Sequence, residues 1–455
     1  MRYYYIYSLT YALVRVMISS ERQKVKRYVS ESLKNWKKSP NRKPLLLFGA
    51  RQVGKTWLVR DFASANYADC IELNFFTNDS LKQIFETDIS PKYIIRQLEI
   101  LFNRTIDPAK TLLFFDEIQE SQRAMDSLKT FNDQAPEYNI IAAGSFLGVM
   151  IGRRPVGQTD QLVLYPMSFY EFLEALGHEQ LVKTIQERDA RSLNSVSHLL
   201  TDLLKQYFYV GGMPEVVLEY TKSENLNKVR EIQNNLLNDY KGDFSRHTTL
   251  HNIPKLNMLW DSIPIHLTKE KKKFMYKAIK TDARASEFES ALQWLNDTGL
   301  VYKINRVDNP QIPLVAHQSP GVFKLYMLDI GLFCAKAEIS ARDIFAPNVD
   351  IIASFNGALA EQFVCQELKS ARVRPLFYWG REKSLAEVGF LTQSNGEIIP
   401  VEVRPVQHTK AKSLQVYIKE YKPAHAVCAS LKDYGLENNL HSVPLYMISD
   451  VLKIL

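Results

Sequence analysis

The sequence is poor in cysteine. Its four cysteines, Cys70, Cys334, Cys365 and Cys428, stand far apart and never in CxxC spacing. That pattern argues against a disulfide framework or a cysteine-based zinc site and predicts a reducing, cytoplasmic setting. Long apolar runs are missing too. The uncharged stretch Tyr3–Val14 stops at Arg15, short of the ~20 residues a membrane span needs, so no membrane partner is expected. One early Arg without an A-x-A site disfavours a signal peptide. Initiation at Met17 is the preferred reading, and residues 1–20 are set aside as an N-terminal extension. Internal repeats and low-complexity tracts are absent. Charge of one sign is scarce outside a single segment. Residues 21–44 hold nine Lys/Arg against Glu21 and Glu31, a net of +7 that equals the excess of the whole chain. A local basic patch argues for nucleic acid less than a basic domain would, and a solvated basic helix explains it equally well.

What remains is globular. The chain has 455 residues, 46% apolar and 24% charged, enough for two or three domains. Apolar runs at Leu45–Phe48, Ile71–Phe75, Thr111–Phe115, Asn139–Ala143 and Gln161–Leu164 read as buried strands. Helical stretches at about 55–63 and 90–104 lie among them, and this alternation predicts a parallel α/β sheet. Beyond Pro166 the pattern turns helical, with Phe169–Leu176, Leu199–Val210 and Asn225–Tyr240 the clearest pieces and a break at Gly211-Gly212-Met213-Pro214. A small helix-then-strand module at about 268–306 has the order of a winged helix. The last part mixes helices (Ser354–Leu368, Ser413–Tyr421) with strands (Pro375–Trp379, Glu387–Leu391, Ile398–Arg404, His425–Ser430).

The segment Gly49, Ala50, Arg51, Gln52, Val53, Gly54, Lys55, Thr56 fits GxxxxGK[ST]. It lies between a strand and a helix, where backbone N–H groups and a helix N-terminus can wrap phosphates. Lys55 is then expected on the β- and γ-phosphates of ATP, the Thr56 hydroxyl on Mg²⁺, and Trp57 beside the nucleotide. An incidental glycine-rich turn is the bland alternative. Downstream, Thr111–Phe115 runs into Asp116 and Glu117. With a phosphate loop upstream, Asp116 is expected to hold Mg²⁺ through water and Glu117 to polarise the attacking water. Simple helix capping is the alternative. Ser145, after the next strand, is a candidate γ-phosphate sensor or a plain turn residue. Arg153, Arg154 and Arg246 are candidate arginine fingers, and for the pair a surface location is the stronger reading.

These residues resemble prokaryotic AAA-type ATP-binding proteins that carry a C-terminal domain of unknown function. The resemblance is carried by LLLFGARQVGKTWLVRDF, LLFFDEIQE, IIAAGSFLGV, LYPMSFYEFL, YVGGMPEVV, FKLYMLDIGL and EVGFL…IIPVEVR, and covers nearly the whole chain from about residue 21. It implies an α/β architecture: an AAA-like P-loop core (21–165), a helical extension (166–265), a winged-helix-like module (266–340) and a restriction-endonuclease-like domain (341–455).

A nuclease of the PD-(D/E)xK kind needs an Asp on one strand and Glu-x-Lys on the next, with carboxylates holding Mg²⁺. Here Gly389 stands where the Asp is expected and Arg404 where the Lys is expected. Arg is a poor replacement, with its planar fork and very high pKa. Glu361 and Glu402 survive. Glu387 shares a face with Gly389 but lies one pleat away. The expected site is therefore an inactive remnant. Lys269, Lys271, Lys272 and Lys273 form a basic flank on the winged-helix-like module, either a DNA contact or a solvated face. Two functions compete: a Mg²⁺-dependent ATPase, acting on DNA or as a homo-oligomer, and a slow nucleotide-gated switch whose C-terminal domain recognises protein or nucleic acid.

Overall fold

The computed structural model describes residues 26–145, 147–148, 157–269, 272–346, 357–381, 386–404 and 412–454. Its first sheet holds β1 (Leu45–Phe48), β2 (Asp69–Asn74), β3 (Thr111–Asp116), β4 (Asn139–Ala143) and β5 (Asp160–Val163). They run parallel in the order β2-β3-β4-β1-β5. Every residue of β3 and β4 is buried, as a sheet covered on both faces requires. Alternate residues feed two cores. Leu45, Leu47, Leu112, Phe114 and Ile141 face one, whereas Leu46, Leu113, Phe115 and Ile140 face the other. The order places β1 next to β4, and β4 next to β3, so the loops after these three strands share one edge.

The flanking helices are α1 (Val29–Lys38), α2 (Lys55–Asn66), α3 (Asp79–Thr87), α4 (Pro91–Phe102) and α5 (Gln122–Gln134). Local chemistry sets their starts: Pro91 occupies the first turn of α4, and Ser121 Oγ accepts from Ala124 N at the head of α5. The helical middle follows as α6 (Phe169–Ala175), α7 (Glu179–Glu187), α8 (Ala190–Val210), α9 (Pro214–Ser223), α10 (Leu226–Arg246) and α11 (Ile253–Leu267). Buried Asp329 pins the break between α8 and α9. Its Oδ2 accepts from Gly212 N at 2.6 Å, and a Cβ on Gly211 would lie 2.3 Å from its Oδ1, so only glycine fits there.

Helix α12 (Ala285–Asp297) leads into β6 (Val301–Val307), which pairs antiparallel with β7 (Gln318–Met327). This hairpin does not stand apart. β6 also pairs parallel with β8 (Leu376–Gly380), giving one sheet ordered β12-β13-β11-β10-β9-β8-β6-β7. Its other strands are β9 (Glu387–Ser394), β10 (Glu397–Val403), β11 (Ala426–Ser430), β12 (Gly435–Glu437) and β13 (Leu440–Pro444). A boundary at 340 thus runs through a continuous sheet. Against it pack α13 (Ile330–Lys336), α15 (Ala358–Ser370) and α16 (Lys412–Tyr421), whereas α14 (Ala341–Phe345) packs on α8 and α17 (Val451–Ile454) follows the turn Leu445–Asp450. Helix α15 is buried from Ala358 to Leu368, so its Glu and Gln side chains must find partners inside the protein. Among the described residues, no helix is long and apolar enough to cross a membrane.

Candidate functional site

The loop after β1 turns through Gly49 (φ 147°), Gln52 (φ 66°) and Gly54 (φ 92°) before α2 begins at Lys55. A Cβ on Gly49 would lie 2.4 Å from the Leu164 carbonyl oxygen, so the strand-to-loop turn tolerates no side chain there. Lys55 is buried, and its Nζ donates to the carbonyls of Gly49 and Ala50, each at 2.9 Å, and to Ser145 Oγ at 3.3 Å. Burial lowers its pKa to about 8, opposed by the nearby Glu117 and Asp116 carboxylates. Thr56 Oγ1 reaches both Asp116 oxygens, at 3.3 and 3.2 Å, and Asn74 Nδ2 reaches Oδ2 at 3.3 Å. Burial, then the adjacent Glu117, raise the Asp116 pKa to about 6. A hydroxyl and a carboxylate at this separation are the hard oxygen donors that Mg²⁺ takes. Lys55, Thr56, Asp116, Glu117 and Ser145 thus converge at one edge of the sheet. The loop also borders a cavity of about 290 Å³ shared with Ser145, Gly299, Lys369 and Arg374.

The remaining loop residues are held by the helical middle and by Arg27, just before α1. Arg51 forms an ion pair with buried Asp243 of α10, Tyr240 Oη donates to the Arg51 carbonyl at 3.0 Å, and Gln52 Nε2 donates to Asp239 at 3.1 Å. Buried Arg27 donates to the Val53 carbonyl at 2.9 Å, to the Tyr165 carbonyl at 2.6 Å and to Glu171 at 3.2 Å. Trp57 is 43% exposed. Arg246 is exposed in the last turn of α10, one turn beyond Asp243. Arg153 and Arg154 lie outside the described residues. Asn74, Asp243, Tyr240 and Arg27 carried no local signal in the sequence, because each meets the site from a distant segment.

The C-terminal acids also converge. Glu361 of α15 accepts from Lys272 Nζ at 2.5 Å, from Lys324 Nζ at 3.2 Å and from Tyr326 Oη at 2.9 Å. Lys324, wholly buried on β7, also pairs with Glu387 at 2.5 Å. Glu402 accepts from Gly389 N at 3.3 Å and pairs with Arg404 at 2.8 Å. Burial pushes the Glu361 carboxyl up, but Lys272 and Lys324 outweigh it and hold the pKa at about 2. Glu402 goes the other way: burial and Glu361 outweigh Arg404 and raise it to about 7. Burial opposes the charge on Lys324, yet Glu361 and Glu387 keep it firmly protonated. Lys272 corrects the sequence reading. It is buried on Glu361, not part of a solvated basic flank, whereas Lys269 and Lys273 are exposed and Lys271 lies outside the described residues. Among the described residues, no three His, Cys, Asp or Glu side chains are arranged to hold a metal ion.

Residues 41–173 match the family model of an AAA domain. Residues 201–343 and 356–448 match two domains of unknown function, DUF8612 and DUF4143. Similar solved structures include a Walker-type ATPase of Pyrococcus abyssi, at 15% identity over 70% of this chain and 95% of that one, TM-score 0.42. Another is the Orc1 protein of Aeropyrum pernix in complex with DNA, at 13% identity over 70% and 92%, TM-score 0.27. A third is the RuvB Holliday junction branch migration motor of Thermotoga maritima, at 15% identity over 62% and 89%, TM-score 0.29. No curated protein matches the chain. The residues gathered at the edge of the parallel sheet thus fall within the segment that matches an AAA domain, and two segments that match domains of unknown function follow it.

Proposed function

We propose that the chain is a Mg²⁺-dependent ATPase whose C-terminal domain binds rather than cuts. The observation that carries this reading is the convergence of Lys55, Thr56, Asp116 and Glu117 on a glycine-built phosphate loop. Lys55 would exchange the Gly49 and Ala50 carbonyls for the β- and γ-phosphates. Thr56 Oγ1 and Asp116 would hold Mg²⁺, which neutralises phosphate charge when bound. Glu117 would take a proton from water as its oxygen attacks the γ-phosphorus and the bond to the β,γ-bridging oxygen breaks, releasing ADP. Ser145, already at Lys55, would sense the γ-phosphate.

The C-terminal sheet supports a nuclease-like ancestry through Glu361, Gly389 and Glu402, yet its carboxylates are neutralised by Lys272, Lys324 and Arg404. A recognition role fits that chemistry better than cleavage. A second reading, a slow nucleotide-gated switch, draws on the Arg51–Asp243 and Gln52–Asp239 contacts, which join the phosphate loop directly to α10.

The test is ATP binding and steady-state hydrolysis by the full chain and by Lys55→Ala, with and without double-stranded DNA and over a range of protein concentrations. The ATPase reading expects wild-type turnover that Lys55→Ala abolishes. Stimulation by DNA would support a DNA-linked role, and turnover per subunit that rises with concentration would support a homo-oligomer. Tight ATP binding without turnover would leave the switch reading in its place.

A further inference from the structure

Glu117 leaves β3 in the left-handed region, at φ 51°, a conformation that residues other than glycine seldom adopt. Two residues on, Gln119 turns back, and its Nε2 donates to Glu117 Oε2 at 2.6 Å. The amide orientation follows from the partner, since an ionised carboxylate only accepts. The other end, Gln119 Oε1, is buried and has no hydrogen-bond partner among the described residues. It presses on Gly144, just past β4, where an added Cβ would lie 2.1 Å away. The missing side chain at 144 is therefore what seats Gln119. The next residue, Ser145, carries the hydroxyl that Lys55 reaches.

The Gln119 hydrogen bond thus fixes one oxygen of the carboxylate that follows Asp116 at the end of β3.

We infer that Gln119 is a positioning residue for Glu117, seated by Gly144, and that it ties the carboxylate to the turn carrying Ser145. This rests on the hydrolytic reading above. One Glu117 oxygen is occupied by Gln119, and the other is left to accept the proton of the attacking water. A carboxylate released from this bond rotates, and a misplacement of ~1 Å at a reacting group costs up to ~100-fold in rate.

The test measures kcat and ATP affinity for wild type, Gln119→Met, Gln119→Ala, Gly144→Ala, the double variant Gly144→Ala/Gln119→Ala, and Glu117→Gln. Gln119→Met keeps nearly the same length and removes the donor without adding a charge beside Glu117, which a purely structural role would tolerate. Gln119→Met and Gln119→Ala are each expected to lower kcat by ~10- to 100-fold with ATP affinity little changed. Gly144→Ala should act in the same direction by expelling the amide, and the double variant should fall no further than its worse parent, since both act through one contact. Wild-type kcat in Gln119→Met overturns the inference, as does multiplication of the two single effects. If Glu117→Gln turns over as fast as wild type, the hydrolytic reading falls and this inference with it. If Glu117→Gln is inactive while Gln119→Met is not impaired, this inference alone falls.

Discussion

Two groups of acids in this chain are handled in opposite ways. At the edge of the parallel sheet, Asp116 and Glu117 face a lysine that rests on backbone carbonyls. Its hydrogen-bond partners there, two carbonyls and the Ser145 hydroxyl, are neutral. In the C-terminal sheet, Glu361 and Glu387 share the buried ammonium of Lys324, Lys272 completes Glu361, and Arg404 lies across Glu402. Each charge there already has its counter-charge. A ligand cation would have to displace a buried ammonium and leave it unpaired, which is strongly unfavourable. Similar residue types thus give a lysine with neutral hydrogen-bond partners in one region and a closed ionic cluster in the other.

The largest effect should come from breaking the closed cluster. Lys324→Met leaves Glu361 and Glu387 without their shared partner, and removal of one member of a buried pair destabilises by ~3–5 kcal/mol. A chemical denaturation midpoint well below wild type is the expected outcome, and an unchanged midpoint would show that the cluster is not a net stabiliser. Gly389→Asp/Arg404→Lys sharpens the contrast. It restores the residues a PD-(D/E)xK site would have, yet Mg²⁺-dependent DNA cleavage is expected to stay absent while Lys272 and Lys324 hold Glu361.

The two regions should also answer pH differently. Glu402 has a raised pKa, about 7, so between about 4.5 and 7 the folded state binds more protons than the unfolded one. Stability contributed by this group therefore falls as pH rises through that window, by an order of ~3 kcal/mol. Glu402→Gln should raise the melting temperature above pH 7 and flatten the dependence below it. Glu361 has the opposite sign. Its pKa of about 2 means that its contribution is present above about 4.5 and is lost as pH falls towards 2. At the phosphate loop the readout is ligand binding. On the proposed reading Lys55 acts protonated and Asp116 ionised, so Mg²⁺-ATP affinity should be highest between about 6 and about 8. Binding titrations across pH 5–9 check this, and a flat profile would contradict it.

The turn between β1 and α2 was legible because its determinants are contiguous. Eight residues fix the turn, the lysine and the hydroxyl, and the apolar strand before Asp116-Glu117 fixes their depth. Strands at 45–48 and 139–143 appear with those bounds. The C-terminal cluster was half legible. Resemblance brought out Glu361, Gly389 and Glu402, and the fold brings them together. Lys324 escaped notice because Gln318-Ser-Pro-Gly321 opens β7 with turn-forming residues, so the strand itself was missed. Lys272 was misread because a lysine run is ordinarily solvated, and only the three-dimensional approach of α15 buries it. The Arg51–Asp243 bridge joins segments far apart in sequence, and neither residue signals its partner. Asp243→Asn probes that bridge and should give the smallest effect, a change in ATP affinity of ~2- to 5-fold, the loss of one partly exposed pair.

The central claim is that the phosphate-loop site hydrolyses what it binds. The direct measurement is Mg²⁺-dependent ATP turnover by the full-length chain beside Glu117→Gln, with ATP affinity measured on both. Wild-type turnover is expected to fall by ~100-fold or more in Glu117→Gln while affinity is retained. Equal turnover in the two proteins would contradict that claim and leave a nucleotide-binding site without hydrolysis.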